Sequence, residues 1–273
     1  MSFPRVRFTI RRMMLLVAGA ALAAGSVLLL QRSSEAAHDE TCRQNLRGLS
    51  LAFANYASAE GSFPTGTIAN DQLPPERRLS WLVSIWAFLD QWTWMLNRAL
   101  SWDSTENRVT RGHGIEEGPV AVGRLPALAC PAAAGGSREH MPGWTWYVGI
   151  GGLGLDAPEL PVGHPRAGIL GYDRRARPAD VTDGLANTLL VVETDRNNGP
   201  WTAGGPPTLR GLDPGDQPYL GRDHQFGGLH RGVANALFAD GSVRPVRETI
   251  DPKVFEALST AAGGESLPAS WER

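Results

Sequence analysis

The chain lacks the short motifs that most often announce a reaction. No G-x-x-x-x-G-K-[ST], no G-x-S-x-G and no H-E-x-x-H occurs in its 273 residues. P-loop nucleotide, serine-hydrolase and zinc-protease chemistry therefore leave no signature here. Excess charge is missing too: 26 Lys and Arg stand against 28 Asp and Glu, a formal net charge of −2. Without a basic stripe in the body of the chain, nucleic acid is not an expected partner. No internal repeat and no internal linker divides the segment after the N-terminus. Cysteine is scarce, with Cys42 and Cys130 the only two. A zinc site on that pair would need two more ligands, and none stands at finger spacing. No metal and no cofactor is expected.

What is present begins with a long apolar run. Arg5, Arg7, Arg11 and Arg12 precede an uncharged stretch from Met13 to Leu30. As a helix those residues would rise about 27 Å, close to the hydrocarbon thickness of a bilayer. The preceding arginines favour a cytoplasmic N-terminus, residues 1–12, and a head (31–273) on the other side. Membrane lipid is then the first partner. A buried core helix fits less well, because the run has no polar face. A cleaved signal peptide remains open, with Ser34-Glu35-Ala36 as a small-x-small site, and Arg11-Arg12 leaves twin-arginine export open. These readings place residues beyond about 35 outside the cytoplasm. In an oxidising compartment a Cys42–Cys130 disulfide is expected, against two buried free thiols. It would close an 88-residue interval. By the chain-entropy model such a loop contributes about 4–5 kcal/mol.

The head reads as α+β: a helix over 37–60 packed on an antiparallel β-rich domain. Cys42, Leu46, Leu49, Phe53 and Tyr56 recur at helical spacing, and Gly61 and Pro64 end the pattern. "LSWLVSIWAFLDQWTWMLNRAL" (79–100) is a second helix, capped by Ser80. It is too short before Asp90 to span a membrane. Its tryptophans, with Trp102 and Trp201, offer either core contacts or a ligand-binding surface. "GWTWYVGIGG", "AGILGY", "NTLLVVET" and "GVANALFADGSVRPV" read as strands. Residues 197–218 form a Gly/Pro-rich loop, and "DPKVFEALSTAAGG" a short helix begun by Pro252 and ended near Gly263.

The stretch "HRGVANALFADGSV" (230–243) raises the possibility of a His230–Asp240 couple. Ten residues of extended chain span about 30 Å, so the two ends share neither a metal nor a proton. Asp240-Gly241 is instead a two-residue type I′ turn signal between two strands. His230 bonds to backbone or another loop at the far edge, or joins a site with other partners.

Several ordered segments resemble one family. "CRQNLRGLSLAFANYASAEGSFP", "WLVSIWAFLDQ", "LACPA", "ADVTDGLANTLLVVET", "FGGLHRGVANALFADGSVRPV" and "ALSTAAGGE" are similar to the prepilin-type, processing-associated H-x9-DG domain family of bacteria. The motif positions are His230, Asp240 and Gly241, with Asp183, Gly184, Asn187 and Thr188 in the Asp-Gly-x-Ser-Asn-Thr segment, where Ala186 replaces the usual Ser. The resemblance implies a pilin- or pseudopilin-like layout in the bacterial cell membrane and no established reaction. The usual Gly-Phe-Thr-Leu-Ile-Glu processing site is altered: Arg7 precedes "FTIRR" and Arg12 stands where the glutamate belongs. A permanent single-pass anchor fits those residues.

The leading functional reading is thus a membrane-anchored extracytoplasmic protein with a structural, assembly or secretion-related role, which can self-associate through the N-terminal helix. A second is an extracytoplasmic module binding a carbohydrate or protein through its tryptophans. A third is a metal-dependent enzyme, in which Asp180, Asp183, Asn187 and Glu193 converge with His224 and His230. No catalytic residue is expected on the leading reading.

Overall fold

A computed structural model describes residues 10–89, 96–108, 125–135, 143–268 and 271. The Arg5 and Arg7 flank, the processing site, and Trp92 and Trp94 lie outside the described residues. One helix, α1 (Ile10–Glu60), opens the fold and runs for 51 residues. Its first half is apolar, and large side chains from Met13 to Leu30, such as Met14, Leu22 and Leu29, are exposed. Its second half carries the expected stripe into the core: Cys42, Leu46 and Leu49 are fully buried and Phe53 nearly so. Burial of each such large side chain stabilises the fold by roughly 1.5–3 kcal/mol. Gly61 stops the helix at φ +70°, where a residue without Cβ is at ease.

Two short helices follow, α2 (Trp81–Ile85) and α3 (Thr105–Arg108). The second helix expected from sequence is therefore one short α-helix and a 3-10 turn over Trp86–Phe88, as far as its residues are described. Ser80 does not cap it through its side chain. Its hydroxyl instead donates to the Trp201 carbonyl, 2.5 Å away, tying the helix start to a distant loop.

The sheet comprises β1 (Tyr147–Leu153), β2 (Leu189–Glu193), β3 (Leu209–Leu212), β4 (Val233–Phe238) and β5 (Val243–Arg247), ordered β3-β1-β2-β4-β5. Contacts β1–β2, β2–β4 and β4–β5 are antiparallel. The β1–β3 pair is parallel, so the sheet is mixed rather than antiparallel throughout. The cause is the connection over residues 194–208, which carries the chain past β1. A strand returning beside β1 in the direction opposite to β2 must run parallel to β1. That strand lies inside the segment expected to be a Gly/Pro-rich loop. The expected strand "AGILGY" (167–172) contributes only an isolated bridge, Gly152 to Ala167. The buried Arg174 guanidinium takes the carbonyls of Ile169 and Leu170, which a ladder would otherwise use.

Both faces of the sheet are covered. Tyr147, Val191, Leu209 and Leu237 join the α1 side. Val148, Ile150, Val192, Ala234, Ala236 and Phe238 face the other side, with Phe255 and Leu258 of α4 (Pro252–Leu258). Asp251 caps α4 by accepting from Lys253 N at 2.8 Å. The helix ends before the expected Gly263, because Ser259 and Thr260 hydroxyls bond back to the carbonyls of Phe255 and Ala257. Trp81, Trp86 and Trp201 are buried, which removes them from any ligand-binding surface. Their role is packing: Trp86 and Trp201 rings lie 4.6 Å apart, and Phe53 stacks on Trp81 at 5.1 Å.

Candidate functional site

The motif residues sit along β4, which runs beside the second half of α1. At the Asp-Gly end, Leu237 pairs with Val243. Gly241 N donates to the Phe238 carbonyl, and Phe238 N to the Ser242 carbonyl. Only Gly241 has positive φ there, at +87°, whereas a type I′ turn needs positive φ at both central residues. The hairpin is therefore a three-residue loop with glycine in the left-handed position, not the expected two-residue turn. Asp240 closes it by accepting from Ser242 N at 2.9 Å and Ser242 Oγ at 2.6 Å. The turn docks on α1, where Ser50 Oγ donates to the Gly241 carbonyl at 2.9 Å. A Cβ on Gly241 would meet that same Ser50 Oγ at 3.0 Å.

The second Asp-Gly segment lies against the first. Asp240 N donates to the Leu185 carbonyl and Ala239 N to the Thr188 carbonyl. Asn187 Nδ2 donates to the Asp183 carbonyl, and Thr188 Oγ1 to that of Gly184. The Asp183 carboxylate accepts from Gly263 N at 2.8 Å and Gly264 N at 3.0 Å, holding the chain that follows α4. Asp183, Gly184, Asn187, Thr188, Asp240 and Gly241 thus form one set of interlocked turns, with their polar groups spent on backbone.

The histidine end is different in kind. The loop before β4 carries Gly228 at φ +82°, with a Cβ there facing the Asp195 carboxylate at 2.6 Å. His230 itself is buried. Its Nε2 lies 3.6 Å from Cys130 Sγ and 3.6 Å from Glu193 Oε2. Cys130 is joined to Cys42 of α1 in a disulfide with Cα atoms 5.6 Å apart. Asn45 of α1 secures the cysteine's segment by donating to the Pro126 and Ala129 carbonyls. Glu193, at the end of β2, is fully buried and accepts from Asn235 N at 2.8 Å. Asn235 in turn donates to Asp39 Oδ1 of α1 at 2.7 Å. Burial pushes the Glu193 carboxyl up to about 8, against the Asn235 hydrogen bonds that favour its charged form. Burial also lowers the His230 pKa, which favours the neutral imidazole.

Of the six side chains proposed to converge on a metal, only those of Glu193 and His230 approach each other. Asp180 is bound by Arg177, which holds its carboxyl below the usual range. Asp183 and Asn187 belong to the interlocked turns, and His224 N closes a separate turn on Gly221. Sequence reasoning missed Asp39 and Asn235. A polar residue alternating with alanine and leucine in "VANALF" was the available signal for Asn235. Beside this cluster lies a cavity of about 690 Å³, lined by His38 and Asp39 of α1, by His230 and Arg231, and by charged groups of both signs such as Arg32 and Glu248.

Comparison with known proteins gives one family. The family model described as protein of unknown function (DUF1559) matches residues 31–207 and 197–253. No curated protein and no solved structure matches the chain.

Proposed function

The chain belongs to the DUF1559 family of proteins of unknown function, and on that premise we propose a single-pass, membrane-anchored protein of pilin- or pseudopilin-like layout. Its role is structural or assembly-related rather than catalytic, and its head stands outside the cytoplasm. The observation that carries this reading is the continuity of α1. One helix exposes an apolar run long enough to cross a bilayer and then, without a break, becomes a core element of the head. An apolar surface of that size needs lipid or another copy of the same helix to cover it. The H-x9-DG reading belongs to the same proposal. The nine residues between His230 and Asp240 span β4, which is hydrogen-bonded to α1 through Asn235 and, at its Asp-Gly end, through the Gly241 carbonyl.

The test is fractionation of native membranes, followed by mass spectrometry of the N-terminus and protease digestion of sealed cells. The proposal expects an intact N-terminal peptide, resistance to carbonate extraction, and a head digested from outside. A soluble protein starting near residue 37 would replace the anchor with a cleaved signal peptide.

A second reading is favoured by the cavity beside His230. Its size and two-signed lining suit a small polar ligand, making the head a binding module. Ligand-dependent protection of the His230 loop from hydrogen exchange would support it.

A further inference from the structure

The sequence offered no further ligand near either cysteine, yet the fold brings a histidine to the pair and a carboxyl to the histidine. We propose that Cys42, Cys130 and His230 hold a zinc ion when the disulfide is reduced, and that the Glu193 carboxylate beside His230 moves in as the fourth donor. One ligand atom from each of Cys42, Cys130 and His230 lies within 4.8 Å of the others, and all three residues are buried. Across a tetrahedral zinc ion, bond lengths near 2.3 Å to sulfur and 2.0–2.1 Å to nitrogen place sulfur and nitrogen about 3.5 Å apart. The distance from Cys130 Sγ to His230 Nε2 is 3.6 Å. Glu193 Oε2 stands 3.6 Å from the same nitrogen.

A finished disulfide does not explain these neighbours. It has no strong donor or acceptor, and it asks for apolar packing. Here a histidine is buried against it, and a buried carboxyl stands 3.6 Å from the imidazole, more than a hydrogen-bond length. A dication between them would satisfy both. The donors also come from four separate segments: α1, the stretch before Pro131, β2 and the loop before β4. Such a site fastens α1 to the head just as the disulfide does.

The chemistry balances simply. An external dithiol gives two electrons and two protons to the Cys42–Cys130 bond and becomes a disulfide. The two thiols then release their protons as zinc binds their sulfurs. The inference holds on either side of a membrane, so it stands or falls apart from the anchoring proposal.

The experiment uses detergent-solubilised full-length protein and zinc ion alone, with a phosphine reductant that does not chelate the metal. Oxidised protein is expected to take up essentially no zinc, and reduced protein about one ion per chain, with both thiols then protected from alkylation. Cobalt in its place should give sulfur-to-metal charge-transfer absorption. His230→Ala should weaken binding at least about tenfold, and Glu193→Gln less. Reduced wild type that takes up no zinc, or whose thiols alkylate equally fast with and without it, overturns the proposal. So does a folded His230→Ala variant with unchanged affinity. If the variants lose their near-ultraviolet circular dichroism, the wild-type alkylation comparison decides alone.

Discussion

Two stretches of α1, Met13–Leu30 and Cys42–Tyr56, share one backbone and handle their apolar side chains in opposite ways. Leu22 is 74% exposed, whereas Leu46 is fully buried. Propensity does not separate them, since both are good helix formers. What separates them is the distribution of polar residues. The first has only Ser26, whose hydroxyl donates to the Leu22 carbonyl, so no face is left for water. The second interleaves Arg43, Gln44 and Arg47 with its stripe, so one face is assigned to protein and the other to solvent. A helix can therefore change environment along its length without any break in its hydrogen bonding.

The sharpest way to break that contrast is to truncate both leucines. Leu46→Ala should cost about 2–5 kcal/mol of head stability, while Leu22→Ala should leave it within about 0.5 kcal/mol. Thermal melts of the detergent-solubilised chain measure both. Equal losses would mean that the first half also packs on the head.

The ends of β4 come next. Gly241→Val forces a β-branched residue to φ +87° and against Ser50, and should cost about 2–3 kcal/mol. His230→Ala in the oxidised protein should cost less, about 1 kcal/mol. Urea unfolding midpoints rank them, and the reverse order would mean that the histidine, not the turn, holds the strand to α1.

The third prediction concerns pH. Glu193 has its pKa raised from 4.5 to about 8 in the fold, so folding takes up a proton between those values. Stability must then fall as pH rises through that range, at up to about 1.4 kcal/mol per unit. His230, lowered from 6.5, acts in the opposite sense below that value: its share of stability is lost as pH falls. Between pH 6.5 and 8 the Glu193 contribution therefore dominates, with His230 opposing it only at the lower edge. Asp39 adds to the Glu193 shift and Arg43 opposes it. Melting temperature should decline across the window in wild type and stay level in Glu193→Gln. A level wild-type profile would mean that the carboxyl is charged throughout.

A modest loss is expected from Ser50→Ala, which removes one partly buried hydrogen bond to the Gly241 carbonyl. A loss of about 0.5–1.5 kcal/mol, read from the same melts, would show that the turn is fastened to the helix and not merely beside it.

These regions differ as much in how readable they were. The α1 stripe follows from period alone, because Cys42, Leu46, Leu49 and Phe53 are local to one helix. The hairpin was also legible, but its loop type was not. Asp-Gly serves a two-residue and a three-residue loop alike, and the choice depends on which pairing buries Leu237 and Phe238 on opposite faces. The β3 strand, four residues among prolines and glycines, gave too short a pattern to register. The polar cluster was least legible of all. Asn235 meets a residue 196 positions away, and His230 meets one 100 positions away. No window along the chain contains either pair. Only the packing of β4 on α1 brings them together.

The unbroken course of α1 from the apolar run into the head has a geometric consequence. Each residue of an α-helix advances the axis by about 1.5 Å and turns it by about 100°. With no flexible joint between Leu30 and Cys42, the compass bearing of the head about the helix axis is set by the number of residues between them. Inserting one residue there would leave composition and apolar length nearly untouched, yet swing the head by about a quarter turn around the rod. In an array of such rods side by side, that single residue would decide which faces of neighbouring heads look at each other.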